Sequence, residues 1–108
     1  MPSLKSSTKP KKPKRPLLFR RVVGGSMSPK LKPGQVVIAS PWFRVIKPGE
    51  VYIFNHAGKE MIKRVERIKD SKVFFVGDNL ENSTDSRHFG WIEIDLIRAK
   101  VVRPKIHN

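Results

Sequence analysis

Short apolar runs separated by turn-forming residues recur from residue 17 onward, and this alternation limits the folds that the chain can adopt. No apolar run is longer than four residues, as at 36–39 and 73–76. β-branched and aromatic residues dominate these runs, which favours strands. Lys32-Pro33-Gly34 and Lys47-Pro48-Gly49 indicate turns before the second and third runs. The sequence therefore predicts a mostly β domain, with strands over residues 17–23, 36–40, 51–55, 60–68, 72–76 and 97–102.

Residues 60–68 also fit a helical spacing, because Met61 and Val65 would share one helix face. The segment is short for a helix, follows Gly58 and precedes a turn-type pair at 70–71. We therefore predict a strand here.

The length of 108 residues fits one domain. The longest apolar runs fall far short of the roughly 18 residues that cross a bilayer, and the N-terminus lacks the apolar segment of a secretory signal. The absence of cysteine excludes disulfides and thiolate chemistry. We expect a chain of this kind, without an anchor, to stay in the cytoplasm.

Positive charge is concentrated at the N-terminus of this chain, whose net charge is +14. Eight of the 23 lysines and arginines lie in the first 21 residues, which contain no acidic residue. Within residues 1–16 the basic side chains alternate with prolines, a pattern that blocks helix formation and repels itself. We predict a disordered basic tail over 1–16 and a domain over 17–108. The tail suits an anionic partner, either phospholipid or nucleic acid, and would serve equally as a solubilising extension.

Ser26 is the first candidate for chemistry. Gly24 and Gly25 allow a sharp turn and leave the following hydroxyl uncrowded, while Pro29 restricts the backbone two residues after Met27. A serine so placed could act as a nucleophile, but it would need a base. Without a base, a loop serine is more often a turn or capping residue.

Histidine is the usual base, and the chain has three. His107 lies at the C-terminus, and His56 precedes Ala57-Gly58 in a predicted hairpin tip. His88 follows Arg87, but no pattern connects it to a serine. None is a good candidate.

Lys63 is the alternative base, since a neutral lysine can activate a serine. Strand alternation places it on one face with Met61 and Val65, toward the core. Burial there would have to lower its pKa from an ordinary value of about 10.4 toward neutrality. The alternative is a surface lysine whose aliphatic stem lies over apolar neighbours.

The polar segment 77–90 is dense in short hydrogen-bonding side chains, which stabilise irregular backbone. Asp85 and Arg87 could brace it as an ion pair. A calcium loop is rejected because Leu80 interrupts the oxygen ligands and the turn glycine is absent. Asn82-Ser83-Thr84 fits a glycosylation acceptor, but no secretory signal accompanies it.

Taken together, four elements in this order resemble the type I signal peptidase family of serine–lysine endopeptidases. The resemblance spans about residues 22–102. The matching residues are Gly25, Ser26, Met27, Pro29, Leu31 and Gly34 in the first element, 48–54 in the second, 63–65 in the third, and Gly77, Asp78, Asn79, Ser83, Asp85, Ser86, Arg87 and Gly90 in the fourth.

The resemblance implies a single catalytic β-core, signal-peptidase-like or LexA-like. Ser26 would attack the scissile carbonyl and neutral Lys63 would take its proton. Ser83 would orient the lysine amine, and Asp85 and Arg87 would be structural supports. The backbone N–H of Ser26 would donate to the oxyanion. Neither a metal nor a cofactor is implied.

The chain departs from the family pattern at three positions. Gly24 stands where family members often carry a hydroxyl, which leaves the second oxyanion donor open, and Gln35 and Glu50 replace the usual aspartates.

Within the family, the short form without an anchor resembles the nickel-type superoxide dismutase maturation proteases. This implies a protein substrate with an N-terminal leader, processed in the cytoplasm or at a membrane surface.

Two other functions are open. A LexA-type self-cleaving repressor needs a DNA-binding domain and a cleavage site before the serine. This function is disfavoured because only 25 residues precede Ser26 and the single Ala-Gly pair, Ala57-Gly58, lies after it. A small basic β-barrel that binds nucleic acid would explain the charge. It would need exposed aromatic platforms, whereas most aromatic residues lie in apolar runs and are interpreted as core.

Overall fold

The structure, a computed structural model, describes residues 16–106, and these contain one antiparallel sheet in the order β1-β2-β7-β3-β4-β5-β6. A short helix, α1, and two 3₁₀ turns lie between β5 and β7. The mostly β prediction is confirmed. The elements are β1 Leu18–Arg21, β2 Val36–Ser40, β3 Val51–His56, β4 Lys59–Lys69, β5 Lys72–Val76, 3₁₀ Leu80–Asn82, α1 Ser86–Phe89, β6 Ile92–Glu93, 3₁₀ Ile94–Leu96 and β7 Ile97–Arg103.

All six predicted strands are present, including the segment at 60–68 that also fitted a helix. The first strand is shorter than predicted and ends at Arg21, because the backbone of Val22 bonds instead to Gln35 and Gly34. β6 and α1 were not predicted, since two and four residues are too short to show a periodicity. Except for Pro16, the predicted tail lies outside the described residues. In the described part of the chain, no helix has the length and apolar character to span a membrane.

Both Lys-Pro-Gly sequences form turns, as predicted. Gly34 has a φ of 88° and Gly49 a φ of 92°, a conformation that residues with a side chain rarely adopt. The preceding proline presets the φ angle that such a turn needs. In each turn, the N–H after the glycine donates to the lysine carbonyl, at 3.1 Å and 3.3 Å. These turns direct β2 and β3 into the sheet.

The central strand β3 is buried on both faces, so the molecule has two apolar clusters. Val51 and Ile53 face the first cluster, and Tyr52 and Phe54 face the second. The first cluster contains Leu18, Val22, Met27, Leu31, Val37, Ala39, Val51, Ile53, Ala99 and Val101, and the second contains Tyr52, Phe54, Val65, Val73, Phe75, Ile92 and Ile97.

β4 changes partners along its length. It pairs with β3 from Lys59 to Arg64 and with β5 from Arg64 to Lys69, with an irregularity between Val65 and Arg67. Residues 59–63 therefore pair with β3 on one side only. Their other edge is open, because pairing with β5 begins at Arg64. β1 is the terminal strand of the sheet and pairs only with β2. A cleft lies between these two open strand edges.

Candidate functional site

Ser26 lies in a loop that the first apolar cluster holds in place. Met27 and Leu31 are buried in that cluster, and the Leu31 N–H donates to the Met27 carbonyl at 2.9 Å. Pro29 follows a cis peptide and is exposed. Because buried Val22 precedes the serine and buried Met27 follows it, the loop is anchored on both sides and half-buried Ser26 is presented at the surface of the core.

Lys63 meets this serine from β4. Its side chain is only 7% exposed, on the same strand face as Val65 and directly across from buried Tyr52 on β3. The Lys63 Nζ donates to the Ser26 Oγ at 2.7 Å. The structure thus brings together the two residues that the sequence singled out as nucleophile and base.

The environment of Lys63 favours a neutral amine. Burial lowers the pKa of Lys63 below its ordinary value, because the apolar surroundings disfavour the charged form. The negative charge of Asp85 opposes this shift and raises the pKa. Burial is the larger effect, so the net direction is downward.

Asn79 holds the backbone around the serine. Its N–H donates to the Ser26 carbonyl at 2.7 Å, and its side-chain amide donates to the Gly25 carbonyl at 3.1 Å. The Gly25 carbonyl and the Ser26 N–H belong to one peptide plane and point in opposite directions when that peptide is trans. Asn79 therefore fixes the direction of the Ser26 N–H. In the part of the chain that the structure describes, this N–H donates no hydrogen bond.

Arg64, the neighbour of Lys63, anchors the loop that carries Asn79. Its guanidinium makes two hydrogen bonds to Asp78, at 2.8 Å and 2.7 Å, and a third to the Gly49 carbonyl at 2.6 Å. Two-pronged arginine–carboxylate contacts fix orientation as well as distance. The two neighbouring residues thus have separate roles. Lys63 contacts Ser26, and Arg64 holds the loop that carries Asn79.

Asp85 is the centre of a second network. Its fully buried carboxylate accepts hydrogen bonds from the Gly77 N–H at 2.8 Å, the Ser83 hydroxyl at 2.6 Å and the Arg87 Nε at 2.9 Å. Burial alone would raise the pKa of Asp85, but these hydrogen bonds, chiefly that from Arg87, hold it well below its usual range. Asp85 and Arg87 form an ion pair within the segment, and Asp85 also caps α1.

Ser83 lies beside the site, but its hydroxyl is directed to Asp85. Between residues 16 and 106 no hydrogen bond joins Ser83 to Lys63. The carboxylate two residues along the chain is a strong, charged acceptor for this hydroxyl. A direct role of Ser83 in orienting the amine therefore stays a prediction.

Both described histidines are engaged elsewhere. The His88 Nδ1 accepts a hydrogen bond from the Asp85 N–H at 3.3 Å and completes the cap of α1. The His56 ring stacks on Phe89 with centroids 4.1 Å apart. His107 lies outside the described residues. No group of three or more histidine, aspartate or glutamate residues within 16–106 is arranged to hold a metal ion.

A cleft of about 420 Å³ opens beside Ser26 and Lys63. The sequence did not predict this cleft, because its walls come from β1 and β4, about 40 residues apart in the chain. No local pattern shows that two open strand edges will face each other. Besides Ser26, Met27 and Lys63, the cleft is lined by Arg20, Arg21, Val22, Val23, Glu60, Met61 and Ile62.

The aromatic residues divide between core and surface. Tyr52, Phe54 and Phe75 are fully buried, while Phe19 is 59% exposed and Trp42 is 47% exposed. Three of the nine aromatic residues are thus fully buried, four are partly buried and two are exposed, so fewer of them are core than the sequence indicated.

Comparison with known protein families matches most of the chain. A family model described as Peptidase S24-like matches residues 2–96, a range that contains Ser26, Lys63 and segment 77–90. It begins within the predicted tail and ends before β7. No curated protein matches the chain. The motifs indicated a likeness to signal peptidases and to the superoxide dismutase maturation subgroup. The family match is coarser and does not distinguish such subgroups.

Proposed function

Because the chain belongs to the Peptidase S24-like family, we propose that it is a serine endopeptidase with Ser26 as nucleophile and Lys63 as general base. The observation that carries the proposal is the 2.7 Å contact between the Lys63 Nζ and the Ser26 Oγ. This distance is within hydrogen-bond reach for proton transfer. Burial of Lys63 supports the neutral amine that the reaction requires.

In the first step, the neutral amine of Lys63 accepts the proton of the Ser26 hydroxyl as Oγ attacks the scissile carbonyl carbon. The peptide C–N bond then breaks, and the Lys63 ammonium returns the proton to the departing amine. An acyl-enzyme on Ser26 results. Water, deprotonated by the same amine, hydrolyses the ester and restores the serine.

The tetrahedral oxyanion needs preorganised donors. The Ser26 N–H is suited to this role, because Asn79 holds the peptide plane that contains it. Gly24, with a φ of 79°, brings no side-chain hydroxyl as a second donor. A second donor would have to be another backbone N–H or a water molecule.

We propose that the substrate binds as an extended strand in the cleft. The open edges of β1 and of residues 59–63 expose backbone donors and acceptors on both walls. An extended peptide can pair with such edges. The motif resemblance supports a protein substrate from which a leader is removed, with a nickel-type superoxide dismutase precursor as the specific candidate.

We further propose that the protein works in the cytoplasm and docks on anionic membrane surfaces. Residues 1–16, rich in lysine, directly precede β1. The outer face of β1 and β2 exposes Phe19 and Val36 next to Arg21. Exposed apolar groups with flanking cations suit an anionic lipid surface. Nucleic acid is the less favoured partner, since only two of the nine aromatic residues, Phe19 and Trp42, are exposed.

The proposed function is tested by substitution in the site. We expect Ser26→Ala and Lys63→Ala each to abolish cleavage of peptide or precursor with the fold retained, since the two residues act as one unit. The His88→Ala protein is the control and should keep its activity, because His88 only caps α1. Cleavage is followed by mass spectrometry and folding by circular dichroism.

An essential His88 with a dispensable Lys63 would contradict the assignment. The intact mass of the enzyme itself, recorded in the same reactions, separates cleavage of a substrate from self-cleavage.

A further inference from the structure

The end of the cleft distant from Ser26 carries a three-residue ion cluster. Glu60 on β4 accepts hydrogen bonds from the Nε and Nη2 of Arg20 on β1 and from the Nη1 of Arg98 on β7. The Arg20–Glu60 pair therefore connects the two walls between which we place the substrate. All three side chains are partly exposed, so the cluster lies within reach of a peptide in the cleft.

The cluster has an excess of positive charge. One carboxylate serves two guanidiniums, and Glu60 is the single acidic residue among the described residues that line the cleft. An excess of one sign of charge in a cleft attracts the opposite sign.

We propose, on the basis of the proposed peptidase function, that this end of the cleft is a subsite for an acidic side chain of the substrate, and that Arg20 binds it. A partly exposed ion pair contributes little to stability, so a substrate carboxylate can replace Glu60 at low cost. The planar arginine fork binds a carboxylate through two hydrogen bonds.

The spacing along β4 sets the position of that side chain. Glu60 precedes Lys63 by three residues, which is about 10 Å along a strand. A peptide extended beside β4 with its scissile bond at Ser26 places its third residue from that bond near Glu60 and Arg20. The acidic residue is thus expected about three residues from the cleaved bond.

The test uses matched peptides that differ at one position. Asp, Asn or Lys is placed two, three or four residues from the scissile bond, on either side, and kcat and KM are measured at low and high salt. We expect the Asp peptide at one of these positions to exceed the Asn peptide in kcat/KM by about tenfold. The gain should lie in KM and should shrink at high salt.

Four variants assign the effect. Arg20→Gln should remove the preference for Asp, Arg20→Lys should retain part of it, and Glu60→Gln should enlarge it by freeing both arginines. Lys69→Gln, an exposed cation at the far end of β4, is the matched control and should leave the preference unchanged.

Equal cleavage of the Asp and Asn peptides by the wild-type enzyme, or a full preference in Arg20→Gln, would overturn the subsite and leave the peptidase function standing. Failure to cleave any peptide would overturn the function and the subsite together.

Discussion

At the scale of single residues, the proposed reaction depends on how Lys63 is buried. Tyr52 across the strand pair and Val65 on the same face shield the amine from water, which lowers its pKa. The negative charge of Asp85 works against this and raises the pKa of Lys63, although that charge is shared with donors from Arg87, Gly77 and Ser83. The hydrogen bond to Ser26 fixes the position of the amine, whereas burial and the charge of Asp85 set its pKa.

The pH dependence of cleavage follows from the downward shift of the Lys63 pKa. Only the neutral amine acts as base, so kcat/KM should rise with pH through an ionisation below the ordinary lysine value. Since Asp85 raises the pKa of Lys63, the rising limb in Asp85→Asn should move to lower pH. Initial rates from pH 6 to 10 measure both profiles. A flat wild-type profile would exclude a lysine base.

Ser83 supports the site indirectly in this structure. Removing its hydroxyl in Ser83→Ala deletes one donor to Asp85. We expect a partial loss of kcat with little change in KM, and a loss of about 1 kcal/mol in the free energy of unfolding. Steady-state kinetics and urea unfolding measure these effects. Wild-type turnover would remove Ser83 from the site.

At the scale of elements, hydrogen bonds between two loops hold the loops in position. Segment 24–31 carries Ser26, the proposed nucleophile, and segment 77–90 supplies Asn79, which hydrogen-bonds to the backbone of that segment. Gly77 lies tightly against the Ser26 loop: a Cβ there would lie 2.6 Å from the Ser83 Cβ and 2.8 Å from the Ser26 carbonyl oxygen. The loops can approach this closely only because residue 77 has no side chain.

Gly77→Ala should therefore displace the Ser26 loop. A displacement of about 1 Å in an active site can cost roughly a hundredfold in rate, and we expect a loss of that order in kcat. Gly58→Ala is the matched control, since Gly58 lies at the β3–β4 hairpin tip with open space around it and a φ of 80°. That variant should lose stability but not activity. Equal kcat in both variants would contradict the close-packing argument.

At the scale of the whole molecule, charge and chemistry are separated along the chain. Residues 1–16 hold six of the 23 basic side chains and none of the proposed site residues. The family match nevertheless begins at residue 2.

Deletion of residues 1–16 should leave cleavage of a short soluble peptide unchanged. It should weaken binding to anionic vesicles, because each basic group near such a surface contributes about 1 kcal/mol. Co-sedimentation of full-length and truncated protein at low and high salt measures this, since salt screens the attraction. Equal, salt-independent partitioning would leave the tail as a solubilising extension. Loss of peptide cleavage would show that the tail belongs to the domain.

The sequence alone determined six of the seven strands and the candidate residues of the proposed site. Alternation of apolar residues and the two Lys-Pro-Gly turns are local features, so β2 to β5 could be predicted within a few residues. The same alternation pointed Lys63 toward the core. Motif order then singled out Ser26, Lys63 and segment 77–90.

Only the tertiary structure decided how these parts meet. Ser26 and Lys63 are 37 residues apart, and their contact depends on sheet order and register, which no local pattern specifies. The bond from Ser83 to Asp85, the grip of Asn79 on the Ser26 loop and the Arg20–Glu60 bridge arise in the same way. Local propensity sets which face a side chain occupies, whereas its partner across the fold is set by how distant strands pair.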